Sequence, residues 1–277
     1  MRYLGSPHDD GKAVFNAIYA AKRNLTKDHL YEISASVFES YENYLKHTSN
    51  LTALTAITLT TPQTEALIHA FDVPTKPLSE LCENFIGSCA VCPFCQLDQT
   101  ASLDHYLPKR KFPEFSVFPQ NLVPCCFTCN NKKNDLVTGQ SNNTPLFLHP
   151  YFDQVHDETF LTLSIKIIDD ALLLKFYINK TDNMTHEDFT RISTHFEILQ
   201  LRNRYRTMAL DLLRGIRFGL EKRFATEEKE IAVSKYLKEE ASSIACSHGR
   251  NYWKTVLFST LANNASFCDG GFTVIPM

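Results

Sequence analysis

Two Cys-x2-Cys pairs, Cys92/Cys95 and Cys126/Cys129, constrain this chain more than any other feature. A Cys-x2-Cys turn aims two sulfurs at one point, and two such turns complete the closed tetrahedral thiolate site that zinc prefers. The chain between them must leave that point and return to it, so the segment behaves as one stapled module. Cys89 lies three residues before Cys92, and Cys125 adjoins Cys126, so either could replace a named ligand. The Pro93-Phe94 turn inside the first pair and the matching spacing of the second favour Cys92, Cys95, Cys126 and Cys129 as structural zinc ligands. Such a site contributes roughly 10–16 kcal/mol of apparent binding energy at neutral pH, so it holds the module together rather than doing chemistry.

The thiolate reading requires a reducing environment. Residues 1–10 carry acids and no apolar signal core, and no apolar run approaches the roughly 18–20 residues of a membrane helix. A cytoplasmic location is therefore expected, with the nine cysteines as thiols or metal ligands rather than disulfides. A net charge of −3, from 28 Lys+Arg against 31 Asp+Glu, excludes a generally basic nucleic-acid coat. Any nucleic-acid surface must be local.

Elsewhere the apolar spacing is mostly helical. Residues 12–25 and 28–46 read as an amphipathic pair, and further helices are expected near 61–70 and 78–86. The runs 160–168 and 171–178, split by Asp169-Asp170, predict a β-hairpin. One long helix is expected from about 186 or 195 to 223, another over 227–244 with Thr226 as its cap, and a last one over 252–261. The tail from Phe267 reads as a strand or a docking peptide. The expected organisation is an N-terminal helical region (1–87), a zinc-braced module (88–155), and a hairpin with a C-terminal helical region (156–277).

Chemistry-bearing residues gather inside the module. Asp104-His105 follows the first cysteine pair, Asn121 precedes the second, and Asn130 adjoins its last cysteine. Phosphodiester hydrolysis needs an activated water and charge neutralisation. A neutral His105 can take the water's proton. Asp104 and Asn130 offer hard oxygen ligands for Mg2+ or Mn2+. Asn121 would hold the other ring nitrogen of His105 or brace its loop. Asn134, one turn after Asn130, is a further ligand or phosphate contact. Residues 101–135 hold five basic and three acidic side chains, and Lys109, Arg110, Lys111, Lys132 and Lys133 suit phosphate contact. On a helical wheel Arg202, Arg206, Arg214 and Arg217 share one flank of the long helix, suiting a solvated face, a nucleic-acid groove or an acidic partner.

This constellation resembles the HNH family of ββα-metal endonucleases: Asp-His, a central Asn, and His or Asn on the following helix, with Asn130 where the family name implies His. Together with Asn121-Leu-Val-Pro-Cys-Cys, Cys-Asn-x-Lys-Lys and Leu148-His149-Pro150-Tyr151-Phe152-Asp153, it is similar to the HNH nuclease subunit of the Septu antiphage system, also found beside retrons. The resemblance covers about 88–155. It implies a small ββα-metal core, structural Zn2+ and catalytic Mg2+ or Mn2+, within a chain that the apolar spacing makes mainly α. It also implies a toxic effector paired with an ABC- or SMC-type ATPase, in some systems with a reverse transcriptase and its RNA-DNA. His149 would pack the core or support the site. The expected activity is endonucleolytic, with DNA favoured. An RNA (for example tRNA) nuclease, a zinc adaptor without catalysis, and an HNH enzyme working alone are the alternatives.

Overall fold

The computed structural model describes residues 2–138, 145–154 and 158–276, which form two compact units, Met1–Gln154 and Val155–Met277. The chain is mainly helical, with two small antiparallel hairpins.

In the first unit, α1 (Gly11–Ala21) starts at Asp10, whose carboxylate accepts the Lys12 N–H at 2.9 Å. The long α2 (Asn24–Lys46) buries Leu30, Ile33, Val37, Tyr41 and Tyr44, an i, i+3, i+4 stripe. Next come α3 (Thr61–Asp72) and α4 (Lys76–Ser88), both opened by a proline in the first turn. The hairpin β1 (Ser102–His105) and β2 (Leu122–Cys125) pairs Ser102 with Cys125 and His105 with Leu122. The short α5 (Phe127–Lys133) completes a strand-strand-helix module.

An aromatic cluster ties α2 to the loop between β1 and β2. Tyr41 stacks on Phe118 at 4.1 Å between centroids, and Tyr44 meets Phe115 edge-on at 4.9 Å. Each such pair contributes about 0.5–1.5 kcal/mol beyond burial. Gly11 is required by this packing, because a Cβ there would lie 2.6 Å from the Phe118 ring. The helices of residues 1–87 and the cysteine-rich module thus belong to one compact unit.

In the second unit, β3 (Leu161–Ile168) and β4 (Ala171–Ile178) form the expected hairpin. Asp169 and Asp170 both take positive φ (49° and 56°), the requirement of a type I′ turn. The long helix expected to 223 is two helices, α6 (His186–Ile198) and α7 (Leu201–Phe224), because Gln200 adopts φ 54° and interrupts the ladder. Apolar spacing runs across that break, so periodicity alone did not reveal it. Helix α8 (Glu230–His248) is capped at Lys229 rather than at Thr226. It is followed by α9 (Trp253–Ala262) and α10 (Ala265–Cys268). The tail ends in a 3-10 turn, Gly271–Val274, rather than a strand, with Phe267 and Phe272 buried. Among the described residues no helix is long and apolar enough to cross a membrane.

Candidate functional site

The four cysteines of the two pairs converge. Cys92, Cys95, Cys126 and Cys129 are all buried, and their sulfurs lie within 4.8 Å of one another. Tetrahedral zinc-thiolate bonds of about 2.3 Å place sulfurs about 3.8 Å apart, so the cluster could hold a metal such as zinc. Cys95 and Cys126 sulfurs stand at 3.9 Å. Local backbone builds each knuckle. Gln96 turns back at φ 53°, and its N–H donates to the Cys92 carbonyl at 2.7 Å. Cys126 caps α5, its sulfur accepting the Cys129 N–H at 3.4 Å. The two rival thiols point elsewhere: Cys89 donates to the Val91 carbonyl, and Cys125 sits against the Ser102 hydroxyl.

Helix α5 packs across β1. Strand alternation sends Ser102 and Asp104 toward that helix. The Asn130 amide donates to Ser102 Oγ at 3.2 Å and to the Leu103 carbonyl at 3.3 Å, leaving its Oδ1 as the ligand-type atom. Asp104 is 3% exposed and faces Lys133, which is 1% exposed. The Lys133 ammonium donates to Asp104 Oδ1 at 3.2 Å and to the His105 carbonyl at 2.9 Å. Asp104 Oδ2 lies 2.9 Å from the same ammonium at an angle that makes no hydrogen bond. Burial pushes the Asp104 carboxyl up to about 6, and the neighbouring Lys133 charge only partly opposes this.

His105 turns toward the loop between the strands. Its Nε2 lies 2.8 Å from the Ser116 carbonyl, which can only accept, so Nε2 carries the hydrogen and Nδ1 holds the lone pair of the neutral ring. Phe71 of α3 meets the ring edge-on at 4.4 Å. Burial brings the imidazole down to about 4, so the ring is neutral at neutral pH.

Asn121 braces that loop; the ring nitrogen belongs to Ser116. Fully buried, Asn121 donates to the Leu107 and Phe115 carbonyls at 3.0 and 3.2 Å. Its oxygen accepts from the Leu107 N–H at 2.8 Å and from the Tyr44 hydroxyl at 3.2 Å. His149 lies on the far side of Tyr44, with Nε2 at 3.2 Å from the hydroxyl and Nδ1 accepting the Tyr151 N–H. It is a buried support, as the sequence allowed.

Asp104, His105 and Asn130 line one open cleft of about 510 Å³. Lys109 and Arg110 also line it, each beside an acid: Lys109 pairs with Asp72 of α3, and Arg110 stands 3.8 Å from Asp135. Asn134 joins the lining, whereas Lys111 and Lys132 lie outside it. Lys133, expected at a phosphate, is directed inward to Asp104 by its burial. Helical spacing put it on α5 but could not show which face the helix turns to the strands. Two aromatic members of the cleft had no sequence signal: Phe71, contributed from a distant helix, and Phe127, 69% exposed at the start of α5.

The chain is 30% identical over 196 residues to protein ea31 of Escherichia phage lambda, a match covering 67% of this chain. It spans 66% of that protein's length, just under two thirds. No family model and no solved structure matches the chain.

Proposed function

We propose that this protein is a metal-dependent HNH endonuclease that hydrolyses nucleic-acid phosphodiester bonds, with DNA favoured. The observation that carries the reading is the His105 ring. Its Nε2–H is spent on the Ser116 carbonyl, so Nδ1 is the basic atom of a residue that lines one cleft with Asp104 and Asn130. A water at Nδ1 would lose its proton to a ring already neutral at working pH, which is worth roughly 10²–10⁴-fold in rate. Ser116 fixes the tautomer, and Asn121 fixes the loop that carries Ser116.

Asp104 and Asn130 supply the carboxylate and amide oxygens that suit Mg2+ or Mn2+, an ion that keeps most of its waters. When bound, that ion neutralises charge on the phosphate and its leaving oxygen. Lys109 and Arg110 would position the backbone without reading sequence. The four-thiolate cluster would hold a structural zinc that fixes α5 against β1.

The role of toxic effector beside an ATPase, as in Septu systems, rests on the motif resemblance. One observation favours a zinc adaptor without catalysis: the Asp104 carboxylate already faces the Lys133 ammonium. A single experiment separates the two. The purified chain, given Mg2+ or Mn2+, is incubated with labelled double-stranded DNA, single-stranded DNA and cellular RNA, beside His105→Ala. Cleavage by the parent and its loss in the variant, with zinc content and melting unchanged, is expected. A variant that cuts at the parent's rate removes His105 as the base, and a parent inert on all three leaves the adaptor.

A further inference from the structure

We infer that the groove between β4 and α7 is a docking site for an extended, acidic segment of a partner protein. The groove measures about 520 Å³. Its floor is apolar, built from Leu172, Leu174 and Leu210, and Leu173 stands on its rim at 51% exposure. Its charged lining is wholly basic: Lys175, Arg202, Arg206 and Arg214.

These cations differ in what they already hold. Arg202 is paired with Glu197 at the surface. Arg217, further along α7, is engaged by Glu221 at 2.8 Å and by the Ile275 carbonyl, and lies outside the groove. Lys175, Arg206 and Arg214 are exposed and make no ion pair among the described residues. Three uncompensated cations around an apolar floor set the chemistry of the occupant: carboxylates on a partly apolar chain.

Geometry favours a strand. Among the described residues β4 pairs only with β3, so its other edge keeps open backbone donors and acceptors, the template for strand addition. Successive same-side residues of a strand repeat about every 6.6 Å. Four residues of α-helix rise about 6 Å. For a strand laid along α7, an acid at every second position therefore keeps step with Arg202, Arg206 and, two steps on, Arg214, while the intervening apolar residues lie on the opposite face, beside the exposed Leu173. A nucleic-acid strand fits less well. The lining contains no aromatic ring for bases to stack on, and phosphates gain nothing from leucine.

The test uses the full chain and does not depend on cleavage. Fluorescence anisotropy reads binding of a labelled ten-residue peptide of alternating Glu and Val. Controls are a Lys-Val peptide, a Glu-Pro peptide that cannot add as a strand, and labelled oligo-dT. Saturable binding of the Glu-Val peptide alone is expected, weakened on the order of tenfold or more by Arg206→Glu/Arg214→Glu. Leu173→Glu should weaken it too, and His105→Ala should not. Circular dichroism checks that the exposed-site variants remain folded. Absence of saturable binding, indifference to the double reversal, equal binding of the Glu-Pro peptide, or tighter oligo-dT binding through the same arginines would each overturn the inference.

Discussion

Replacing Lys133 by Met tests the centre of the module most sharply. The two side chains are near-isosteric in their stems, so packing is kept while the charge is removed. In the parent the ammonium is 2.9 Å from Asp104 Oδ2, with both groups at most 3% exposed. At that separation the attraction is about 6 kcal/mol for an effective dielectric of about 20. Much of it is offset by the cost of desolvating both ions. Removing the ammonium leaves the Asp104 carboxyl buried without its counter-charge, so Lys133→Met should cost about 3–5 kcal/mol. With a urea slope of about 2 kcal/mol per molar, the unfolding midpoint of the zinc-loaded protein falls by roughly 1.5–2.5 M. Asp104→Asn should also destabilise. The double variant should cost less than the sum, with a coupling of about 2–3 kcal/mol. Denaturation curves of the four proteins measure every term. A loss below about 1 kcal/mol for Lys133→Met, or additivity within about 0.5 kcal/mol, refutes the buried pair as the link between α5 and β1.

Further expectations follow from the same geometry. Metal analysis should find one zinc per chain, lost in Cys92→Ser and retained in Cys89→Ser, since only the former sulfur lies in the cluster. Asn121→Ala leaves the Leu107 N–H and two carbonyls without their partner, so it should cost at least about 3 kcal/mol in chemical denaturation. Phe127→Ala should barely change melting, because the ring is 69% exposed, yet should weaken single-stranded DNA binding by about 1–3 kcal/mol in a titration with His105→Ala as the background. Glu114 carries a pH signature. Its carboxyl is buried, one oxygen accepts the Ile57 N–H, and burial raises its affinity for a proton. A raised folded value means that the group's stabilising contribution is full below the ordinary glutamate range and is lost as pH rises through the raised value. Melting of Glu114→Gln relative to the parent should therefore improve from about pH 4 to about pH 7; a constant difference contradicts the assignment.

Tyr44 shows why the N-terminal helices matter to the cleft. Its hydroxyl reaches Asn121 on one side and His149 on the other, so α2 helps to fix the loop that holds the His105 ring. Phe71 and Asp72 at the end of α3 meet His105 and Lys109 in the same way. Residues assigned to a separate helical region by the proline and glycine breaks between 74 and 87 thus contribute directly to the cleft walls.

Features that depend on short-range spacing were legible in the chain of residues alone. Two-residue gaps bring together the sulfurs within each pair, Cys92 with Cys95 and Cys126 with Cys129, as backbone turns dictate. Asp169-Asp170 between alternating apolar runs specified the second hairpin, because both residues tolerate positive φ. Apolar stripes located most helices. The direction in which side chains face came from the packing of the folded chain. That packing turned Lys133 inward to Asp104, gave Asn121 to the loop backbone, assigned the His105 ring to Ser116, and left Phe127 in the open. Periodicity fixes a residue's position on its own helix or strand, but the partner across the gap comes from a distant part of the chain. That partner is set by how buried polar groups satisfy one another on closure of the fold.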